Sequence, residues 1–225
     1  MNKKFWMTIL CLAMAVPGFA QNKRLADATS VLKEVMNGKG GIPQTTLDKA
    51  MCVVVYPAVK KIGAGVAVTY GRGVLTCRSA LQAGAPWSAP AMYTLDAGSV
   101  GPQFGGFSSD YVLLIMNEKA ADKILSGKLK LGADAAAALG SSVATTQGLN
   151  DSSLGADVLI YSRSNGGVFA GVSLGDASLA SDDKANRELY GRAITASEIV
   201  RDGEVAPPAG AQPFLAAVEQ PTKAN

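Results

Sequence analysis

Met51-Cys52-Val53-Val54-Val55-Tyr56 is an unbroken apolar run with three valines in a row. β-branched side chains favour extended backbone, and a run without polar alternation suits a strand covered on both faces. Downstream, glycines at 63, 65, 71 and 73 punctuate the chain. Gly63 through Tyr70 reads as a strand with small residues at alternate positions. Glycine inside a strand marks a bend or a close backbone approach, as where a sheet curls. Val74–Cys77, Met92–Leu95, Val100–Phe107 and Tyr111–Met116 read as further strands, the last two separated by a Ser108-Ser109-Asp110 turn. Ala156–Tyr161 and Val168–Ser173 follow. These strands do not alternate with long helices, which argues against a parallel α/β sheet. The expected class is α+β: a curled antiparallel β-sheet, sandwich- or barrel-like, with N-terminal and flanking helices.

The helices are legible from periodicity and caps. Leu25, Ala28, Leu32, Val35 and Met36 recur at three- and four-residue steps, with Arg24, Asp27, Lys33 and Glu34 on the polar side and a stop near Gly38. Ile42-Pro43 opens a short helix through Ala50. Asn117 caps a helix to Leu125, Asp182-Asp183 starts one running to about Gly191, and Thr195 caps another. Phe214–Val218 is expected to dock as one helical turn within an otherwise extended, Pro- and Ala-rich tail at 203–225.

Residues 1–20 read as an export signal: Lys3 and Lys4, an apolar stretch from Phe5 to Val16, then small residues before a cleavage point after Ala20. Residues 21–202 form the folded body. No run reaches the roughly 18 apolar residues of a membrane-spanning helix. Loss of the signal removes two lysines from 21 basic residues and leaves 19 facing 18 acidic ones, a balance of +1. That balance gives no global field for nucleic acid, so any anion site must be local. The expected location is periplasmic or secreted, with peripheral membrane association. In that oxidising setting Cys52 and Cys77 are either a disulfide or two buried thiols.

The chain contains no histidine. It therefore cannot build a Ser-His-Asp or Cys-His dyad from its own residues, nor a His-ligated zinc or haem site. Gly171-Val172-Ser173-Leu174-Gly175 matches a nucleophile elbow but has no base, and reads as a strand end and turn. Ser30–Lys33 and Ser181–Lys184 match S-x-x-K without its companion motifs. Gly71-Arg72-Gly73 lacks the third glycine of a dinucleotide loop. No catalytic residue, metal or cofactor is expected.

The remaining chemistry is cationic. Lys60, Lys61, Arg72 and Arg78 lie near strand ends, and Trp87 follows. On one rim they would suit a lipid headgroup, with phosphate on the cations and the ring at interfacial depth. Ordinary solvated charge at strand ends is the competing reading.

Several segments together resemble the SYLF domain family, also called Ysc84. They are Ile42-Pro43 through Ala50, Val55-Tyr56-Pro57 with Val59-Lys60-Lys61, Gly71-Arg72-Gly73-Val74, Trp87-Ser88-Ala89-Pro90, Gly98 through Gly105, Tyr161 through Gly175, and Asn186 through Gly191. The resemblance covers about residues 25–200. It implies a non-enzymatic phospholipid-binding module, with phosphoinositide ligands in eukaryotic members and actin binding in fungal ones. The chain lacks their SH3 and FYVE modules and is similar to the single-domain exported bacterial members. Anionic envelope phospholipid is then the expected partner, and actin and nucleic acid are not. The alternative is a structural or protein-interaction module within an envelope assembly, with an envelope protein as partner.

Overall fold

The computed structural model describes residues 19–38, 41–82, 84–131, 136–140, 157–164, 174 and 177–219. Residues 1–18 of the expected export signal, the strand expected at Val168–Ser173, and the elbow pattern apart from Leu174 lie outside them. In chain order the described elements are α1 (Phe19–Asn37), α2 (Gln44–Leu47), β1 (Cys52–Cys77), β2 (Ala91–Ile115), α3 (Glu118–Leu125), β3 (Ala136–Gly140), β4 (Val158–Ser164), β5 (Ser178–Ser181), α4 (Asp183–Tyr190), α5 (Ala196–Val200) and α6 (Gln212–Glu219).

The class is α+β, with helices flanking a largely antiparallel sheet. β2 lies centrally: β1 pairs along one edge, while β4 and β5 pair with different stretches of the other. β3 joins β4 in parallel. Among the described residues the sheet does not close into a barrel: β1 pairs only with β2 and β3 only with β4. The short strands expected between 51 and 77 are one strand of 26 residues, and those between 92 and 116 are one of 25. The register runs from Cys52↔Ile115 to Leu75↔Ala91, with irregularities at Tyr56/Val59 and Ala64/Val66 that absorb the bends.

The β1–β2 ribbon bends at these irregularities. Gly65 has φ +81° at the turning point, a value that favours glycine. The two legs of β1 then fold back on each other, so that Cys52 and Cys77 meet in a disulfide with Cα atoms 3.9 Å apart. The backbone closes at the same place, where the Arg78 amide donates to the Met51 carbonyl at 2.7 Å.

The apolar run is buried on both faces. Cys52, Val54 and Tyr56 face a core containing α3 and α5, while Val53 and Val55 face α1, α2, α4 and α6. The caps form where the sequence places them. The Asn117 side chain accepts from the Ala120 amide, Asp182 accepts from Ala185, and Thr195 and Glu198 form a capping box. Phe214–Val218 belongs to the eight-residue helix α6, which buries Phe214, Leu215, Ala217 and Val218 in the core that α1 also fills.

The disulfide closes a separation of 25 residues. Loop-closure entropy assigns such a link about 3.5 kcal/mol. Urea unfolding of the Cys52→Ala/Cys77→Ala variant should show a loss of that order. An unchanged midpoint would mean that the ribbon fold holds the strand ends together without the link.

Candidate anion-binding cleft

The base of the folded ribbon borders a cleft of about 550 Å³. Three elements supply its walls. The ribbon contributes Pro57, Ala58, Lys60, Tyr70, Gly71 and Arg72; α1 contributes Gln21, Lys23, Arg24 and Asp27; Asp182 and α4 contribute Lys184, Ala185 and Glu188.

Local backbone geometry explains how the ribbon residues arrive. Ala58 adopts φ +47° in the irregularity between Tyr56 and Val59. Its amide donates to Oδ1 of buried Asp110 at 2.8 Å. Beyond this point, even-numbered residues from Lys60 to Arg72 are exposed and odd-numbered ones turn towards the fold-back. Lys60 and Arg72 thus leave the two legs at the same level, near the approach of Gly71 to Val59.

Five cations and three carboxylates line the cleft, a surplus of two positive charges. Each carboxylate is engaged. Asp182 pairs with Arg24 at 3.0 Å while also capping α4. Asp27 pairs with Lys23 at 2.7 Å, and Glu188 accepts from Gln21. The side chains of Lys60, Arg72 and Lys184 have no ion pair or hydrogen bond among the described residues. Three uncommitted cations at one concavity can take a multiply charged oxyanion, with arginine supplying a planar donor fork and lysine a mobile point charge.

The five residues singled out in the sequence do not share one rim. Lys60 and Arg72 come together. Lys61, next along the strand, is half-buried and does not line the cleft. Arg78 and Trp87 sit at the far end of β1 and form a bridge across the 78–90 loop. The Arg78 guanidinium lies 4.0 Å from the ring centroid and donates through Nη1 to the Ala85 carbonyl at 2.9 Å. Burial pushes its pKa down from the ordinary arginine value, against the pull of Asp48 and Glu219. Trp87 is only 7% exposed and packs in the core that α1, α2 and α6 fill, so the ring is a core residue here and not an interfacial anchor. An indole can close an apolar core under a loop, and its neighbour's guanidinium covers the outer face.

Lys23, Arg24 and Lys184 carry no sequence signal for this cleft. Arg24 reads only as a polar helix position and Lys184 only as the end of a chance S-x-x-K match, and the link from Arg24 to Asp182 spans 158 residues. Among the described residues no group of histidine, cysteine, aspartate or glutamate has a metal-binding arrangement, and no helix is long and apolar enough to cross a membrane.

A family profile for Ysc84, described as "Las17-binding protein actin regulator", matches residues 96–221. An SH3 domain-containing protein of Schizosaccharomyces pombe is 33% identical over 186 residues, covering 81% of this chain and 42% of that protein. Protein YSC84 of Saccharomyces cerevisiae is 29% identical over 181 residues, covering 79% of this chain and 37% of the yeast one. SH3 domain-containing YSC84-like protein 1 of Xenopus laevis is 29% identical over 194 residues, covering 82% and 56%. The chain thus spans about half the length, or less, of these relatives. The matched segment runs from β2 through α6 and includes Asp182 and Lys184, while the cleft residues on α1 and β1 precede it. The chain belongs to the Ysc84 family, whose members are non-enzymatic binding modules.

Proposed function

We propose that the cleft holds the phosphate headgroup of an anionic phospholipid, and that the chain acts at an envelope membrane surface as a periplasmic or secreted protein. The observation that carries this reading is the convergence of Lys60, Arg72 and Lys184 on one cleft without carboxylate partners among the described residues. The family's association with lipid binding supports it. Actin, named in the family description, is the weaker partner for an exported chain.

The test is flotation with phosphatidylglycerol-containing vesicles and with phosphatidylcholine vesicles, at low and at physiological salt. The wild-type chain should float with the anionic vesicles alone. Each basic residue near an anionic surface contributes about 1 kcal/mol, so Lys60→Gln/Arg72→Gln should bind roughly 30-fold more weakly. Lys128→Gln, at an exposed site outside the cleft, should bind as wild type. Equal recovery on neutral vesicles at low salt would overturn the electrostatic reading.

A further inference from the structure

The bend of the β1–β2 ribbon is unusual for a surface exposed to water. Ile62 through Gly71 on β1 and Ala97 through Ser109 on β2 contain no charged residue. On the outer face of β1, Ile62 is 57% exposed, Val66 59%, Val68 56% and Tyr70 44%. Soluble proteins blunt projecting strand edges with lysine, proline or inward-pointing charge, because a bare apolar ribbon invites association. Here charge stops at the base of the ribbon, at Lys60 and Lys61 on one leg and Arg72 on the other, and Lys60 and Arg72 line the cleft.

That order, cations at the base and apolar side chains at the bend, matches the order of an anionic membrane from headgroup to acyl chain. We propose that the bend inserts into the upper acyl layer of such a membrane while Lys60 and Arg72 engage its phosphates. The inference rests on the headgroup reading and adds an apolar element to it. Gly65 lies five residue steps from Lys60, up to roughly 17 Å of strand. This reach covers the roughly 5–10 Å by which interfacial elements enter the acyl boundary. The pairing of β1 with β2 satisfies backbone groups on both sides of the bend. The outer edges of a two-stranded ribbon keep unpaired polar groups, which hold the insertion shallow. Asp96, opposite Tyr70 in the register, is the exposed carboxylate nearest the bend on β2, and it marks where the ribbon meets the headgroup layer.

Two experiments test the insertion. In the first, Val68→Trp is mixed with anionic vesicles carrying bromine at shallow or deep acyl positions, with the wild-type chain as the blank. The emission of residue 68 should shift to the blue and be quenched more by shallow than by deep bromine. In the second, Ile62→Ser/Val66→Ser/Val68→Ser alters only exposed positions, so the fold is retained. Its affinity for anionic vesicles should fall on the order of 100-fold, and the binding that remains should be more easily removed by salt. Flotation with anionic vesicles without quenching at residue 68 would overturn insertion and leave the headgroup reading standing. Failure of the wild-type chain to bind anionic vesicles would overturn both. A blue-shifted Val68→Trp emission without vesicles, in a chain that elutes as a dimer, would assign the stripe to a second copy and overturn the membrane proposal.

Discussion

Asp110→Ala is expected to cost about 2–4 kcal/mol of folding stability, from the buried Ala58 amide left without its acceptor and the loss of charge-assisted hydrogen bonds from Arg163. Asp110 is 2% exposed on β2. Its Oδ1 accepts from the Ala58 amide at 2.8 Å, and its Oδ2 accepts from Arg163 at 2.8 Å through Nη2 and 3.3 Å through Nε. Hydrogen bonding to Asp110, with help from Glu34, raises the Arg163 pKa further above its ordinary value. Alanine would leave the Ala58 N–H without its acceptor at a residue already held at φ +47°. Asp110→Asn keeps an acceptor for Ala58 and loses only the charge, so it should cost roughly half as much. Arg163→Gln should fall between wild type and Asp110→Ala, because Arg163 is partly solvated and the Ala58 contact survives. Urea midpoints of the three variants check the ranking. A midpoint for Asp110→Ala within about 0.5 kcal/mol of wild type would show that the irregularity at Ala58 holds itself. The loss should also reach the cleft, since the geometry at Ala58 directs Lys60 into it.

Local patterns in the sequence are physical facts about single elements, and these were legible. The run at 51–56 has no polar side to offer water, so it had to be covered twice. Asn117, Asp182 and Thr195 each offer a side-chain oxygen to amides left open at a helix start. The length of β1 and β2 was not legible. Gly63 and Ser108-Ser109-Asp110 look like strand ends when read alone, yet the partner strand carries the ladder through them. β3 at Ala136–Gly140 was missed because an alanine-rich stretch carries no strand period, and its pairing with β4 comes from elsewhere in the chain. Lys60 and Arg72 stood out as charges flanking apolar segments. Their meeting with Lys184 depends on the fold-back of β1 and on α4 lying across α1, neither of which leaves a mark on neighbouring residues. Trp87 misled for a related reason: Ser88 and Pro90 give it a surface-like context, while the core it fills is built from α1, α2 and α6.

Gly73→Ala should be as damaging as any substitution in the ribbon, on the order of 4 kcal/mol or more. A Cβ added there would lie 2.4 Å from the Tyr56 ring and 2.5 Å from the Val55 carbonyl oxygen. A free side chain would rotate away, but Tyr56 is fully buried and its hydroxyl donates to the Thr94 carbonyl at 3.1 Å. The Val55 oxygen is backbone inside a strand paired with Val112. Relief therefore requires one leg of β1 to move off the other, which opens the apolar contacts on both faces of the sheet. Overpacking that a flexible neighbour can absorb costs about 1–3 kcal/mol, and the rigid neighbours here place this case above that range. Gly71→Ala should be milder, because the closest obstacle is the Val59 Cγ2 atom at 2.8 Å and a methyl group can shift further than a backbone oxygen. Gly98→Ala is the control: nothing lies within 4 Å of its added Cβ, and its stability should stay within about 0.5 kcal/mol of wild type. Denaturant midpoints in the order Gly98→Ala, Gly71→Ala, Gly73→Ala, from most to least stable, would follow if the two legs pack as closely as their glycines allow. Equal midpoints for Gly73→Ala and Gly98→Ala would mean that the legs stand apart in solution, and a cleft that depends on both legs would then lose either Lys60 or Arg72.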